Sequence, residues 1–518
     1  MNTLAPNPMD RRDFLERAYL AGLSLYGLGA ASFAKWKKPR FHQYPFSLGV
    51  ASGEPVPDGM ILWTRLAPDP LNGGGLPPEE IDVRWEIASD EDFARVIRQG
   101  SVRASPDLAH SVHVEATNLE SDRWYWYRFH AGDATSAVGK TRTTPRADST
   151  PDRLDFVFTS CQHYEQGLYT GFEHLAREDV DLVFHLGDYI YESAGQSGRT
   201  RMHAGGELET LSDYRNRYAQ YKTEASLQAA HAAFPWLVTW DDHEVDNNYA
   251  GSISENDDPV EAFLLRRAAA YQAYYEHMPL RHPAPSGPDM RLYRKSSFGR
   301  LVESLVLDTR QYRTDQPCGD RNKAPCRESL DSAATMLGDE QEQWLFREME
   351  RGPARWTILA QQVMMGHVDR QAGEGELYSM DQWSGYAAAR DRLLHHFHQA
   401  RIPNPVVLTG DIHTNWVNDL KLDFKDPDSP TVGTEFVGTS ISSGGDGFAR
   451  SPRTDAYLSE NPFLKFFNAQ RGYVRCQVTA EELRSDYRVL EYVSRPGSPI
   501  STVASFVVES GKPGATEI

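Results

Sequence analysis

The chain is poor in cysteine: four in 518 residues. A disulfide framework therefore does not hold the fold together. Positive charge is also in deficit. Fifty-four Lys and Arg face 73 Asp and Glu, a formal net charge of -19. That balance argues against non-specific nucleic-acid binding, which needs a basic surface. It also repels anionic substrates at long range, so a phosphate-handling site would need local positive charge, which metal ions can supply. No apolar run is long enough for a stable membrane span. No internal repeat or long low-complexity tract appears. The Gly-rich SSGGDG, Ser442 to Gly447, lacks the Lys-Ser/Thr of a P-loop and reads as a turn.

What is present suits a soluble protein of two or more domains, 40% hydrophobic and 25% charged. Arg11 and Arg12 precede a modestly apolar stretch, with Ser32 and Ala34 placed for cleavage. Residues 1–34 are thus expected to be a twin-arginine export signal, directing the protein to the periplasm or beyond the cell. Asp10 and Glu16 depart from the usual signal pattern. Residues 42–148 alternate apolar and polar positions between Gly, Pro, Asn and Asp breaks. That texture predicts a small all-β sandwich of immunoglobulin or fibronectin type, with Trp124, Trp126 and Phe129 as packing residues. Cys318 and Cys326 flank PCGDRNKAPC; they close a small ring in an oxidising compartment or stay as two thiols. Cys476 alternates like a strand residue and reads as buried filler.

From Leu154 apolar strands alternate with helical stretches, giving an α/β catalytic domain over residues 154–510. DLVFHLGDYIYE holds a buried strand, a turn at Gly187, then Asp188 and Tyr191. LDFVFTSCQ ends at Cys161, and SLQAAHAAFPWLVTWDDHE ends at Asp241, Asp242, His243 and Glu244. NPVVLTGDIHTNW ends at Asp411 and His413, and RLVESLVLDTR at Asp308 and Arg310. Ligands collect at the carboxyl ends of strands in open α/β sheets. The expected metal ligands are Cys161, Asp188, Tyr191, Asp242, Asp411 and His413. Carboxylates suit hard ions, whereas thiolate, phenolate and imidazole favour a transition metal. The mixed set implies a polynuclear site with an iron-like ion and one or more hard divalent ions.

SCQ, GDYIYE, WDDHEVDNN and GDIHTNW, in that order, resemble the PhoD-type alkaline phosphatases of the calcineurin-like metallophosphoesterase superfamily. The leading sandwich segment, the arginine pair and NPFLKFFNAQRGYVRC share the likeness. The resemblance implies an αββα sandwich with metals at its rim. It implies Fe3+ held by Cys161, Asp188, Tyr191 and His413, and one or two Ca2+ held by Asp188, Asp411 and Asp242. The GDxxY spacing is also similar to that of purple acid phosphatases. Where the wider superfamily has DxH, GNH[DE] and GHxH, this chain has SCQ, DDHE and GDIH. More oxygen ligands and fewer imidazoles favour a harder second ion, though other divalent ions remain open.

The expected reaction is hydrolysis of phosphate monoesters, and of diesters, by a metal-bound hydroxide or oxide. His243 is expected to stabilise the transition state or protonate the leaving oxygen. Arg310, Arg313 and Arg390 are candidates to hold a phosphate oxygen, with surface salt bridges as the plain alternative. His185 is expected to support the site from behind. The long segment after Glu192 and the acidic DNNYAGSISENDD are candidate lids or entrance walls. The alternatives are a phosphodiesterase of phospholipase-D-like activity, an iron oxidase, and an exported binding protein with structural metals.

Overall fold

In a computed structural model describing residues 40–518, the apolar runs become strands buried along their whole length. Leu154–Thr159, Leu182–His185 and Pro235–Val238 have no exposed position. They pair in parallel, Val157 with Val183 and Phe184 with Leu237. The arginine pair and the rest of the expected export signal lie outside the described residues.

Period-two alternation assigns each strand two faces. Phe156, Phe158, Leu182, Phe184 and Leu237 point inward. Val157, Val183, Trp236 and Val238 point outward, under the tyrosine-rich helices Leu211–Lys222 and Val260–His277. A second sheet repeats the scheme with parallel strands Val302–Val306, Trp356–Ala360, Pro405–Thr409 and Thr431–Val437. Its inner residues Val302, Trp356, Ile358, Val406, Leu408 and Phe436 meet the first sheet's inner face. Its outer residues Leu305, Leu359 and Val407 lie under helices Gly338–Arg351 and Ala387–Gln399. The result is the expected four-layer αββα sandwich, its middle filled by two apolar sheet faces.

The leading β region forms the expected all-β sandwich and shares a sheet with the strands that follow it. Ile81–Ala88, Val96–Ala104 and Trp124–Ala131 form a sheet of their own with two short strands. Its partner layer, Val50–Val56, Gly59–Arg65 and Ser111–Ala116, is the far end of the ten-stranded catalytic sheet. The joint is the parallel pairing of Ser52 with Pro235 and Gly53 with Trp236. A Cβ on Gly53 would stand 2.8 Å from the Trp236 carbonyl oxygen and 2.6 Å from that of Pro279, so only glycine allows the approach. The sandwich exists, with Met60, Leu62 and Val114 facing Val83, Tyr127 and Phe129. At the other edge, strands Gly472–Val478, Glu482–Leu490, Ile500–Glu509 and Lys512–Glu517 complete the same sheet. The sheet that carries the rim strands thus runs to Glu517. Cys476 is fully buried between the sheets, as its alternation implied.

Candidate metal centre

Both sheets deliver their parallel strands to one rim. An isolated parallel bridge between Ser160 and Ser440 joins the strand ends of the two sheets there. Gly410 fits beside it, since a Cβ would come within 2.6 Å of Ser160 Oγ. At the rim the chain turns through left-handed backbone at Cys161 (φ 57°), Asp188 (57°), Asp411 (63°) and His413 (58°). Each such residue costs about 1–3 kcal/mol and is kept where function requires the side chain's direction.

Three overlapping triads result, each with its ligand atoms within 4.8 Å of one another: Cys161, Asp188 and His413; Asp188, Asp242 and His243; Asp241, Asp242 and Asp411. Asp188 belongs to the first two and Asp242 to the last two. Tyr191 Oη donates to Asp188 Oδ2 at 2.8 Å and lies 3.1 Å from His413 Nε2. All six residues expected to be ligands therefore meet in one cluster.

The donor set fits cations. Asp188 Oδ1, Asp241 Oδ2 and Asp242 Oδ1 are buried and accept no hydrogen bond among the described residues. A buried, unpaired carboxylate oxygen is costly unless a positive charge faces it. Burial pushes Asp188 well above the usual carboxylate range, and Asp242, Glu244 and Asp411 add to the shift against the pull of His243. Burial and then Asp381 raise Asp411 to about 6. Burial, then Asp188, raises both the Cys161 thiol and the Tyr191 phenol. A bound cation would displace these protons, because metal ligands bind deprotonated. Burial and Arg471 lower His413 to about 3, which keeps it as the neutral imidazole that ligates. Burial also opposes a charge on His243, but Glu192, Asp242 and Asp188 outweigh it and hold the ring protonated. His243 Nδ1 bonds Glu192 Oε2 at 2.7 Å, its ring packs 4.1 Å from that of Tyr191, and 21% of its side chain reaches solvent.

The arginines depart from expectation. Arg310 is at the cluster but wholly buried, with Nε on Asp241 Oδ1 at 2.5 Å and Nη1 and Nη2 on Asp381 at 2.7 and 2.9 Å. With its donors committed to carboxylates, it is not a free clamp for substrate. Arg313 likewise holds Asp381, at 2.6 Å. Arg390 donates to Asp391 and packs over Phe424, and it makes no hydrogen bond to a cluster residue. His185 is buried against Trp236 and Tyr189, behind the rim. Gln162 turns away to the Tyr189 carbonyl oxygen.

Several further residues at the rim were not among the expected ligands. Glu244 accepts the backbone N–H groups of Asp188, Tyr189 and Asp241, tying two ligand turns together. Asp381 lies between the two-residue strand Tyr378–Ser379 and the helical turn Trp383–Tyr386. Asn248 donates its backbone N–H to Asp242 Oδ2 at 2.7 Å. Arg471 holds the His413 carbonyl and donates to Ser440 Oγ at 2.8 Å. In SSGGDG, Ser443 Oγ bonds Tyr191 Oη at 2.7 Å and the Cys161 carbonyl oxygen at 2.8 Å, so that stretch braces two ligand residues.

A four-layer sandwich with such a rim places the protein among the metallophosphoesterase-type hydrolases. Residues 156–487 match the family described as PhoD-like phosphatase, and residues 30–145 match its N-terminal domain. The chain is 52% identical over 523 residues to alkaline phosphatase D of Bacillus subtilis (strain 168), covering 99% of this chain and 90% of that protein. The solved structure of PhoD overlays with a TM-score of 0.91 at 52% identity, covering 93% of each chain. This chain belongs to the PhoD-like phosphatase family, and its chemistry is the hydrolysis of phosphoric esters.

Proposed function

We propose that this phosphatase hydrolyses both phosphate monoesters and diesters with the help of Fe3+ and one or two Ca2+. Cys161, Asp188, Tyr191 and His413 would hold the iron, and Asp188, Asp242 and Asp411 the calcium. The observation that carries the reading is the set of buried carboxylate oxygens on Asp188, Asp241 and Asp242 that accept no hydrogen bond among the described residues, inside overlapping triads. Bound cations would neutralise phosphoryl oxygens and lower the pKa of water so that it attacks phosphorus.

The chain's own residues prepare that chemistry. Asp188 and Asp242 each belong to two triads, so one carboxylate can serve neighbouring cations. Glu192 fixes His243 through Nδ1 and supports its charge, leaving the Nε2 proton for the departing ester oxygen. Ser443 and Asp188 hold the Tyr191 hydroxyl in place. Export by the twin-arginine route is part of the same proposal. The Cys318–Cys326 disulfide supports it, because such bonds persist in oxidising compartments. Among the described residues no helix is long and apolar enough to cross a membrane.

The test is metal analysis of natively exported protein, followed by chelation and return of each ion singly. Mono- and bis-p-nitrophenyl phosphate are assayed side by side. Both should be hydrolysed, and both activities should vanish on chelation. The protein should show a visible charge-transfer band that Tyr191→Phe removes. A colourless, iron-free protein with full activity would defeat the iron assignment, and inertness toward the bis ester would restrict the enzyme to monoesters.

A further inference from the structure

The strand Val302–Val306 leads through Asp308 to Arg310. Asp308 Oδ1 accepts the backbone N–H groups of Arg310 and Gln311, both at 3.0 Å, which fixes the turn from which the Arg310 side chain springs. The guanidinium then lies between two sets of carboxylates. On one side Asp381 grips it through two parallel bonds, and Asp381 is itself held by Arg313 and by Gln316 Nε2 at 2.8 Å. On the other side stand Asp241, with Asp242 Oδ1 at 3.5 Å from Nη2 and Asp411 Oδ1 at 3.9 Å. Those three form one of the candidate cation triads. The side chain has 0% exposure, so no substrate can reach it without the fold opening.

We propose that Arg310 is a built-in counter-cation, a positioning residue whose fixed charge sets how many diffusible cations the Asp241, Asp242 and Asp411 triad takes up and how tightly. A guanidinium stays charged at any working pH and cannot be lost by dilution. It also occupies part of the negative potential for which diffusible ions would otherwise compete. Asp381 anchors the guanidinium and offsets some of its charge. The proposal rests on the reading that the triad binds cations.

Calcium titration of the chelator-treated full chain, by calorimetry, separates the two ideas. Wild type, R310Q, R310K and D381N are compared, with folding checked by circular dichroism. R310Q should bind calcium about tenfold or more tightly, or take up an additional ion per chain, while catalysis falls. R310K keeps the charge and should stay within about threefold of wild type. D381N frees Arg310 to neutralise the triad and should bind more weakly. A merely structural arginine would weaken calcium binding in R310Q and R310K alike. Calcium binding to R310Q that is unchanged or weaker overturns the proposal. If R310Q does not fold, weakened binding by R310K or unweakened binding by D381N overturns it. A wild type that binds no calcium would instead refute the calcium reading of the site.

Discussion

His243 and Asp188 stand in one triad, yet burial and neighbouring charge move them to different ends. His243 keeps a proton because three carboxylates outweigh its burial, whereas burial, with Asp242, Glu244 and Asp411 beside it, pushes Asp188 toward its neutral form. Replacing His243 by Ala should lower kcat by about 10²–10⁴-fold, with metal content unchanged, as read by steady-state kinetics and elemental analysis. The same shifts set how the cation-free protein responds to pH. Asp411 titrates near 6 in the fold, above an unfolded aspartate, so its neutral form favours folding and that support is lost as pH rises from about 4 to 6. His243 has a raised pKa, so its contribution is full below the ordinary histidine range and is lost as pH rises through the raised value. Both act in one direction. Buried His413, held to about 3, acts in the opposite direction, so the test is a difference. Chelated Asp411→Asn protein should lose less melting temperature than chelated wild type as pH rises from about 4 to 6 in scanning calorimetry, and returning the cations should flatten that difference.

At the scale of elements, the turns after the strands carry the site. Gly187 adopts φ 110°, and a Cβ there would stand 2.5 Å from Asp241 Cβ. Gly187→Ala should cost about 2 kcal/mol or more in urea unfolding and displace Asp188, so activity should fall more than stability alone explains. The disulfide ring also reaches the rim. Cys318, Asp320 and Arg321 are left-handed, Asp320 Oδ2 accepts from Asn248 Nδ2 at 2.8 Å, and Asn248 in turn binds Asp242. C318S/C326S should lose about 2.5 kcal/mol of stability from the opened loop, measurable as a lower unfolding midpoint. Strand ends were legible in the sequence because a doubly buried strand is an apolar run that stops abruptly at polar residues. That pattern located Cys161, Asp188, Asp242, Asp411 and His413. Asp381 and Arg471 were not legible, since loop and strand-pair contacts leave no periodic mark. Arg310 was located with both readings open, because nothing local distinguishes an arginine offered to substrate from one enclosed by carboxylates. The shared sheet was hidden for a similar reason: the Gly53–Trp236 pairing joins segments far apart in the chain.

For the whole molecule, the two facing sheets bring residues from separate chain segments to one rim, and the chain as a whole carries a formal charge of -19. Anionic substrates must approach against this field. Raising ionic strength should therefore increase kcat/KM for a phosphate ester more than for a less charged diester, by screening the repulsion. The central claim is that this rim is a cation cluster built for phosphorus chemistry. The most direct measurement is anomalous X-ray diffraction from crystals of natively purified, active protein, with data collected at the iron edge. The account predicts an iron peak among Cys161, Asp188, Tyr191 and His413, with further cation density among Asp188, Asp242 and Asp411. An active crystal without cation density at that rim would contradict it.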